Sequence, residues 1–359
     1  MGELFEVAVS AHPDTPVFFA VPDVIDDPGR VSGGNLYDQR VRDGLRADGW
    51  DMRMALVGDD DRQTAAALTA LPDGALVLLD GLLLARESAA VADHGARLRL
   101  VVLAHMVAGE LTDDERAAFR VAQRIIATSG WTRSELIAQD AADPHRIVVA
   151  HPGTDAAPVT TVSPSGGRLL CVATVAPHKG QDLLVRALAG FADLEGWTCT
   201  IVGSLEAAPD FVAELKDAIA AAGLAERITF TGVLTGAALD EAYRQADLVV
   251  LPSRTESYGM AVAEALARGI PVLASGVGGI PEAIARNEGG MIVSPDDPWA
   301  LAVVLRQWWA SADRRRELTA AALTARGAAR RWGDTAAIVS AALDAAVTAR
   351  AAERQAARS

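Results

Sequence analysis

Short apolar runs alternate with helical patterns along most of the chain. Strands separated by helices imply crossover connections, so this alternation predicts an α/β protein with parallel sheets. The runs are apolar throughout instead of alternating between apolar and polar residues, which is typical of strands that helices cover on both faces. Twelve strands are predicted, at residues 17–21, 52–57, 75–80, 98–105, 124–129, 146–151, 169–175, 198–203, 227–232, 247–252, 271–275 and 290–294.

A change of composition at residues 152–167 interrupts the alternation. This segment is rich in Pro, Gly, Ser and Thr and has little periodicity, which is typical of a linker. The strand and helix pattern then restarts. We therefore predict two doubly wound, Rossmann-like domains at residues 1–158 and 159–331, followed by a C-terminal helix with its tail at residues 332–359.

The predicted C-terminal helix carries an apolar stripe at helical spacing. Its members are Trp332, Ala336, Ile338, Val339, Ala342 and Leu343. We expect this stripe to pack on the first domain, and the alternative is the second domain beside Trp308 and Trp309.

Composition and charge narrow the classes of function. The length of 359 residues suits two domains that each bury a full core. A formal net charge of -14 repels polyphosphate chains and anionic lipids, so neither nucleic acid nor a membrane surface is an expected partner. Cys171 and Cys199 lie in apolar runs, which favours core side chains over a disulfide or metal pair. Without a signal-peptide pattern or ~18 consecutive apolar residues, we expect a cytoplasmic protein.

Two glutamates follow the predicted strand at residues 247–252. Ligands of doubly wound sheets bind beyond the carboxyl ends of the strands, so this segment is a candidate site. Glu256 precedes a predicted helix and Glu264 lies about two turns later, so both can share one face. Glu264 stands among apolar residues, where a carboxylate needs polar partners such as sugar hydroxyls. Gly259 permits a ligand close to the backbone, where the N–H groups of the helix start suit a diphosphate.

The glutamate pair and the residues after it, ALARGIPVLASGVGGIPEAI, resemble those of retaining family 4 glycosyltransferases with the GT-B fold. The similarity extends upstream through ATVAPHKGQDLLVRAL, IVGS, RITFTGVL and ADLVVLPSRTESYGM, in the family's order. It implies two Rossmann-like domains facing each other across a cleft, with the C-terminal helix crossing back to the N-terminal domain. It also implies transfer of a hexose-type sugar from a nucleoside-diphosphate sugar to an unidentified acceptor, with retention of configuration and without a metal or other cofactor.

The resemblance implies a role for each residue that matches the family pattern. Glu264 would hold the ribose hydroxyls of the nucleotide and Glu256 would contact the transferred hexose. Lys179 would neutralise the diphosphate. Further donor-binding positions are Tyr258, Gly259 and Met260 at the sugar and phosphate, and Val233 and Leu234 at the edge of the base.

The chain departs from the family in the segment ATVAPHKG. Many family members have an arginine where this chain has Thr174, and that arginine supports the lysine at the leaving diphosphate. Because threonine supplies no charge, either His178 or Arg254 compensates, or diphosphate binding depends on Lys179 and helix N–H groups. We favour Lys179 with backbone groups, and Arg254 as a helper.

The first half matches the family more loosely. The sequence SGGN at residues 32–35 follows the first predicted strand and opens a helix, as the family's glycine-rich loop does beside the donor phosphates and the acceptor. Another strand ends at His105, where the family has a histidine near the transferred sugar. Glycine turns and lone histidines are more often structural, but the resemblance makes Gly33, Gly34 and His105 candidate site residues.

Two further patterns point to other chemistry. The sequence GDDD at residues 58–61 resembles the metal-binding acidic motif of another transferase fold, but it follows a strand in a polar loop. We expect a solvated turn there. The sequence GVGG at residues 276–279 resembles a dinucleotide fingerprint, but Pro281 occupies its sixth position. We expect this loop to line the diphosphate pocket instead.

Other functions fit part of the pattern. A sugar-nucleotide epimerase or a phosphorylase shares the GT-B fold without sharing the transfer reaction. A non-catalytic nucleotide-sugar sensor is a third alternative, against which the two glutamates and Lys179 argue. The sequence leaves open the acceptor, the sugar and the base.

Overall fold

The computed structural model describes residues 15–107, 109–285 and 289–356. The predicted domain ranges also include residues 1–14 and 357–359, which lie outside the described part of the chain. Two parallel sheets of six strands each form the framework of the described residues. Within these ranges, no helix has the length and apolar character needed to cross a membrane.

The first sheet lies in the first half of the chain. Its strands are β1 (Val17–Pro22), β2 (Met52–Val57), β3 (Leu76–Asp80), β4 (Arg99–Ala104), β5 (Arg124–Ala127) and β6 (Ile147–Val149). They pair in parallel in the order β2-β1-β3-β4-β5-β6. This order turns back beside β1, so the helices that follow the strands cover both faces.

The second sheet repeats this plan. Its strands are β7 (Arg168–Val172), β8 (Thr198–Val202), β9 (Ile228–Gly232), β10 (Leu248–Leu251), β11 (Val272–Ser275) and β12 (Gly290–Val293). They pair in parallel in the order β12-β11-β10-β7-β8-β9. The predicted α/β class with two doubly wound sheets is confirmed, and the ends of the predicted strands differ from the observed ends by three residues at most. The domain boundary at residue 158 stays a prediction.

Fourteen α-helices are present among the described residues. They are α1 (Gly33–Ala47), α2 (Gln63–Thr69), α3 (Gly81–Arg86), α4 (Ser88–His94), α5 (Asp113–Val121), α6 (Gly130–Ala138), α7 (Gln181–Ala189), α8 (Pro209–Ala221), α9 (Gly236–Arg244), α10 (Met260–Ala267), α11 (Ile280–Ala285), α12 (Pro298–Ala310), α13 (Ala312–Gly327) and α14 (Trp332–Ala356). Local polar residues fix several starts. The Ser32 hydroxyl accepts from the Asn35 N–H at α1, and Thr112 forms a capping box with Glu115 at α5.

The strands are buried because helices pack on both faces of each sheet. The continuous apolar run from Leu76 to Leu79 in β3 is fully buried, as expected for a central parallel strand. Cys171 and Cys199 are free, buried thiols in neighbouring strands of the second core, which confirms them as core side chains.

The last helix, α14, packs on the first domain. Val339 and Leu343 are fully buried in the same core cluster as Val17 and Leu45. The indole N–H of Trp50 donates to the Ser340 hydroxyl at 2.9 Å. The predicted crossing of the C-terminal helix back to the N-terminal domain is therefore confirmed.

One member of the predicted stripe does not join this core. Ile338 is 38% exposed, whereas the adjacent Val339 is fully buried. Consecutive helical residues differ by about 100° around the axis, so the two side chains cannot both face the first sheet. Trp308, the alternative partner, is buried in the second core.

Candidate active site

A cavity of about 380 Å³ lies where the carboxyl ends of the strands of both sheets meet. The predicted site residues that line it are Gly33, Gly34, His105, Thr174, Lys179, Val233, Leu234, Glu256, Tyr258, Gly259, Met260 and Glu264. Gly33 and Met260 approach each other across the cavity, since a Cβ atom on Gly33 would lie 3.5 Å from the Met260 sulfur. The structure thus brings together all the predicted site residues except Arg254, while their individual roles stay predictions.

Lys179 and Glu256 form an ion pair on the second-domain wall. The Lys179 Nζ and Glu256 Oε2 atoms are 2.7 Å apart, and the two side chains are 16% and 15% exposed. Lys179 ends a short turn, Pro177–Lys179, after β7. Gly180 continues the turn with a φ of 69°, and a Cβ there would lie 2.0 Å from the Pro252 carbonyl oxygen. Only glycine therefore lets the lysine turn approach the loop that carries Glu256.

Glu264 projects into the cavity from α10. Its Oε2 atom accepts a hydrogen bond of 2.6 Å from the hydroxyl of Tyr243, which lies on α9. Burial raises the pKa of Glu264, and the Tyr243 hydrogen bond opposes this rise by stabilising the carboxylate. Gly259 precedes α10 with a φ of 89°, a left-handed conformation that glycine adopts readily. Met260 and Ala261, the first two residues of α10, line the same cavity as both glutamates.

His105 lies on the first-domain wall after β4. Its Nε2 atom is 2.8 Å from Asp38 Oδ1 on α1 and 3.9 Å from Asp80 Oδ1. Asp38 is fully buried and Asp80 is nearly so, while the imidazole remains 18% exposed. Burial opposes the charge on His105, but the two carboxylates outweigh it and raise its pKa to about 9. Burial also raises the pKa of Asp38, to about 7. The two carboxylates therefore favour the protonated, positively charged form of the imidazole.

Gly33 and Gly34 form the first turn of α1 instead of a separate loop. A Cβ atom on Gly34 would lie 3.8 Å from the His105 ring, so this helix start and the histidine are neighbours. Val31, Leu36 and Met106 complete much of this wall with apolar side chains. The wall combines backbone N–H groups, one imidazole and an apolar surface.

Arg254 does not reach the cavity. Its guanidinium forms two hydrogen bonds of 2.7 Å to the carboxylate of Asp182, and its Nε donates to Asp296 at 2.8 Å. The same guanidinium donates to the Pro177 carbonyl oxygen at 2.6 Å, so it braces the turn before Lys179. Two carboxylates use its charge, and the expectation of a direct helper at the diphosphate has no support in its position. Thr174 lines the cavity and supplies no charge. Burial and the nearby Lys179 lower the pKa of His178, which disfavours a positive charge on that imidazole.

The acidic turn at residues 58–61 forms ion pairs with arginines on the surface. Asp59 pairs with Arg30 and Arg86 on the surface. Among the described residues, the one group of His, Cys, Asp or Glu spaced to hold a metal ion is Asp38, Asp80 and His105, not the acidic turn at 58–61.

The GVGG loop at residues 276–279 packs against the backbone at Glu256 and does not line the cavity of about 380 Å³. The Gly279 N–H donates to the Glu256 carbonyl oxygen at 3.2 Å. A Cβ on Gly278 would lie 1.6 Å from that same oxygen. Val277 and Gly278 instead line a neighbouring pocket together with Glu256, so the expected place of this loop at the diphosphate stays a prediction.

Glu282 joins the two domains beside the cavity. Its carboxylate accepts from the N–H groups of Gly130 at 2.8 Å and Trp131 at 2.6 Å, at the start of α6. Its Oε2 also lies 3.1 Å from His151 Nε2. A side chain of α11 thus caps a helix of the first domain, where carboxylates are favoured by the free N–H groups.

Sequence reasoning missed three of these polar partners. Asp38 holds His105, Tyr243 holds Glu264, and Glu282 ties the domains together. Asp38 left a trace in the sequence, because it is a carboxylate on the same helical face as the apolar residues Val41 and Leu45. The other two pairings carry no local pattern.

A comparison with protein families gives a match in the second half of the chain. The model of the family "Glycosyl transferases group 1" matches residues 162–324. The stretch that carries the second sheet is therefore similar to this family. The kinship with family 4 glycosyltransferases, inferred from the glutamate pair and its surroundings, is confirmed by this match and by the relatives and folds described next.

One relative of this glycosyl transferase domain is a D-inositol 3-phosphate glycosyltransferase from Mycolicibacterium gilvum, which is 33% identical over 206 residues. That alignment covers 53% of this chain and 45% of the relative, so the chain spans about half the length of the curated relatives it matches.

Solved structures show the same fold over both domains. Sucrose-phosphate synthase from Thermosynechococcus elongatus superposes with a TM-score of 0.74 at 20% identity, covering 96% of this chain and all of the other. HepE from Anabaena in complex with UDP-glucose gives a TM-score of 0.74 at 19% identity, covering 92% of this chain and 99% of HepE. The whole described chain therefore has the GT-B fold.

Proposed function

We propose that this chain is a retaining glycosyltransferase that moves a hexose-type sugar from a nucleoside-diphosphate sugar to an acceptor hydroxyl, without a metal ion. One observation carries the proposal: the Lys179–Glu256 pair and Glu264 share one wall of a cavity that both domains form. The names of similar proteins agree with it, since HepE holds UDP-glucose and the curated relatives are inositol 3-phosphate glycosyltransferases. A UDP-sugar is the first donor to test, and inositol 3-phosphate is the first acceptor.

Departure of a diphosphate creates negative charge that the site must stabilise. The Lys179 ammonium group has three N–H donors, and Glu256 uses one of them at 2.7 Å. The remaining donors and the N–H groups at the start of α10 are fixed in advance at the cavity wall, as electrostatic stabilisation requires. Lys179 thereby supplies, from the protein itself, positive charge of the kind that a divalent ion supplies in metal-dependent transferases.

The proposed transfer needs no side chain as general base. The bond between the anomeric carbon and the diphosphate oxygen breaks, and the acceptor oxygen forms its bond on the same face of the sugar. The acceptor proton passes to the departing phosphate oxygen. Glu256 and His105 lie on opposite walls and would orient the hexose between them, so that positioning accounts for much of the rate.

A donor panel tests this function. The protein is incubated in EDTA with UDP-glucose, GDP-mannose or ADP-glucose, with and without inositol 3-phosphate and other polyol acceptors, and sugars are followed by NMR. We expect release of one nucleoside diphosphate that depends on an acceptor, and a product with the anomeric configuration of the donor. Conversion of the donor without acceptor would identify an epimerase. Binding without turnover would identify a sensor, and activity restored only by Mg²⁺ would contradict metal independence.

A further inference from the structure

The Glu264 carboxylate is held in one orientation by a side chain outside the cavity. Tyr243 on α9 is fully buried, and its hydroxyl donates to Glu264 Oε2 at 2.6 Å. Burial raises the pKa of the Tyr243 phenol well above its ordinary value, so the hydroxyl keeps its proton and acts as a donor. Since the donor keeps its proton, the direction of this hydrogen bond is fixed.

The Tyr243 ring is itself clamped. The Arg268 guanidinium lies over the ring at 4.4 Å from its centroid, ion-pairs with Asp240 and donates to the Glu264 backbone oxygen at 3.1 Å. From the linker, the Thr160 N–H donates to the Arg268 carbonyl at 2.9 Å and its hydroxyl to the Tyr243 carbonyl at 3.4 Å. Cation–π contact and these hydrogen bonds leave the ring one position.

This arrangement divides the work of the two carboxylate oxygens. Glu264 Oε2 is occupied by Tyr243, and no described residue donates to Oε1. Glu264 lines the cavity, so its second oxygen is the one left to a ligand. A carboxylate fixed at one oxygen loses little side-chain freedom when the other binds, which strengthens the bond it forms.

We propose that Tyr243 is a positioning residue for the nucleotide, which orients Glu264 so that its free oxygen accepts from a ribose hydroxyl of the donor. The inference rests on the proposed function, because it takes a nucleoside diphosphate as the ligand. Tyr243 does not touch the donor. It acts through Glu264, by fixing the carboxylate and by keeping it ionised.

Substitution Tyr243→Phe keeps the ring and the cation–π contact but removes the donor. We expect affinity for the best-bound of UDP, GDP and ADP to fall about tenfold, the scale of one hydrogen bond to a charged group. The 2′-deoxy and 3′-deoxy forms of that nucleotide provide the decisive readout. The wild type should prefer the ribonucleotide over at least one deoxy form, and Tyr243→Phe should lose most of that preference.

Two further measurements separate positioning from stability. Without the Tyr243 hydrogen bond, burial raises the pKa of Glu264 further, so nucleotide affinity of Tyr243→Phe should recover as pH rises, while that of the wild type changes less. In a Glu264→Gln background, Tyr243→Phe should cause little further loss, because the two residues act as a unit. Tyr37→Phe removes a buried phenol on the first-domain side of the same cavity, whose hydroxyl donates to the Ala150 carbonyl at 2.9 Å and not to Glu264, so it should leave the ribose preference unchanged.

Equal loss of affinity for ribonucleotide and deoxynucleotides, or unchanged affinity, would overturn the role of Tyr243. Additive effects of Tyr243→Phe and Glu264→Gln would do the same. If none of the three nucleotides binds the wild type, the proposed function fails first and the inference with it. If the wild type binds a nucleotide but shows no ribose preference, only the Tyr243–Glu264 assignment fails.

Discussion

The two walls of the cavity come from sheets of the same plan but differ in chemistry. On the second-domain wall, Lys179 is paired with Glu256, and Glu264 is hydrogen-bonded to Tyr243, so each charged group has a fixed partner and faces the ligand space. On the first-domain wall, His105 is the charged group, and its two carboxylate partners are buried behind it. Much of the remaining surface of that wall is apolar. The comparison teaches that the charged side chains at the cavity are concentrated in the second domain, while the first domain contributes mainly apolar surface and one imidazole.

This difference follows from which strand ends carry polar residues, not from the topology. Both sheets are six-stranded and parallel, and both present the carboxyl ends of their strands to the cavity. Since the fold is shared, a few side chains account for the chemical difference between the two walls. Each of these side chains can be substituted in turn.

The largest effect should come from weakening the packing of α14 against the first domain, which supports the first-domain wall. Leu343 is fully buried between this helix and the first sheet. Truncation of such a leucine costs ~2 to 5 kcal/mol, so Leu343→Ala should lower the free energy of unfolding of the first domain by that amount. Urea unfolding measures it. Ile338→Ala, on the same helix but 38% exposed, is the matched control and should stay within about 0.5 kcal/mol of the wild type. Equal effects would contradict the packing of α14.

Removing the cation of the second wall should depress turnover. Lys179→Ala removes charge needed most as the diphosphate leaves, so kcat should fall ~10²–10³-fold, as it does when one stabilising donor is lost. The chain offers a close control, since Lys216 is its only other lysine and is exposed on α8. Lys216→Ala should leave kcat unchanged. A change confined to the KM of the acceptor would show that Lys179 contributes to acceptor binding and not to departure of the diphosphate.

Removing the charge of Glu264 should weaken donor binding without changing the fold. Glu264→Gln keeps the shape of the side chain, and loss of a charged hydrogen bond costs ~1 to 3 kcal/mol of binding free energy. Calorimetric titration with the nucleotide measures the change. Glu214→Gln on the exposed face of α8 is the control. Unchanged donor affinity in Glu264→Gln would remove the ribose assignment.

The smallest effect concerns the pH dependence of the first wall. Asp38 and Asp80 raise the pKa of His105 to about 9 from its ordinary 6.5, so the stability from this charge is present below 6.5 and lost as pH rises through 9. The raised pKa of Asp38 acts in the same direction but at lower pH, between its ordinary 3.8 and about 7. The free energy of unfolding should thus fall as pH rises from 6.5 to 9, by on the order of 1 kcal/mol, and less in Asp38→Asn. Identical pH profiles for both proteins would contradict the pairing.

The two walls also differ in how far the sequence predicted them. Buried parallel strands appear as uninterrupted apolar runs, so the strands of both sheets were predictable from the local pattern of apolar residues. Glu256 and Glu264 were identifiable because both stand on one short segment at helical spacing, with Glu264 among apolar residues. Gly33, Gly34 and His105 were candidates because of the family resemblance, the glycines at a helix start and His105 at a strand end, where ligands of this fold class bind.

Partners from distant segments were not predictable in the same way. Tyr243 lies 21 residues before Glu264, and Glu282 lies 152 residues after Gly130. Local periodicity carries no information on which residues meet across helices or domains. The partners of Arg254 were not predictable for the same reason, because the carboxylates of Asp182 and Asp296 lie 72 and 42 residues away.

Hydrogen–deuterium exchange of the full chain, with and without the best-binding nucleoside-diphosphate sugar, tests the central claim most directly. If the donor binds to the second-domain wall, protection should be largest in the segments that carry Lys179, Glu256 and Glu264, and smaller at the start of α1. The Glu264→Gln variant should need more donor for the same protection. Protection confined to the first domain, or none near these three residues at saturating donor, would contradict the account.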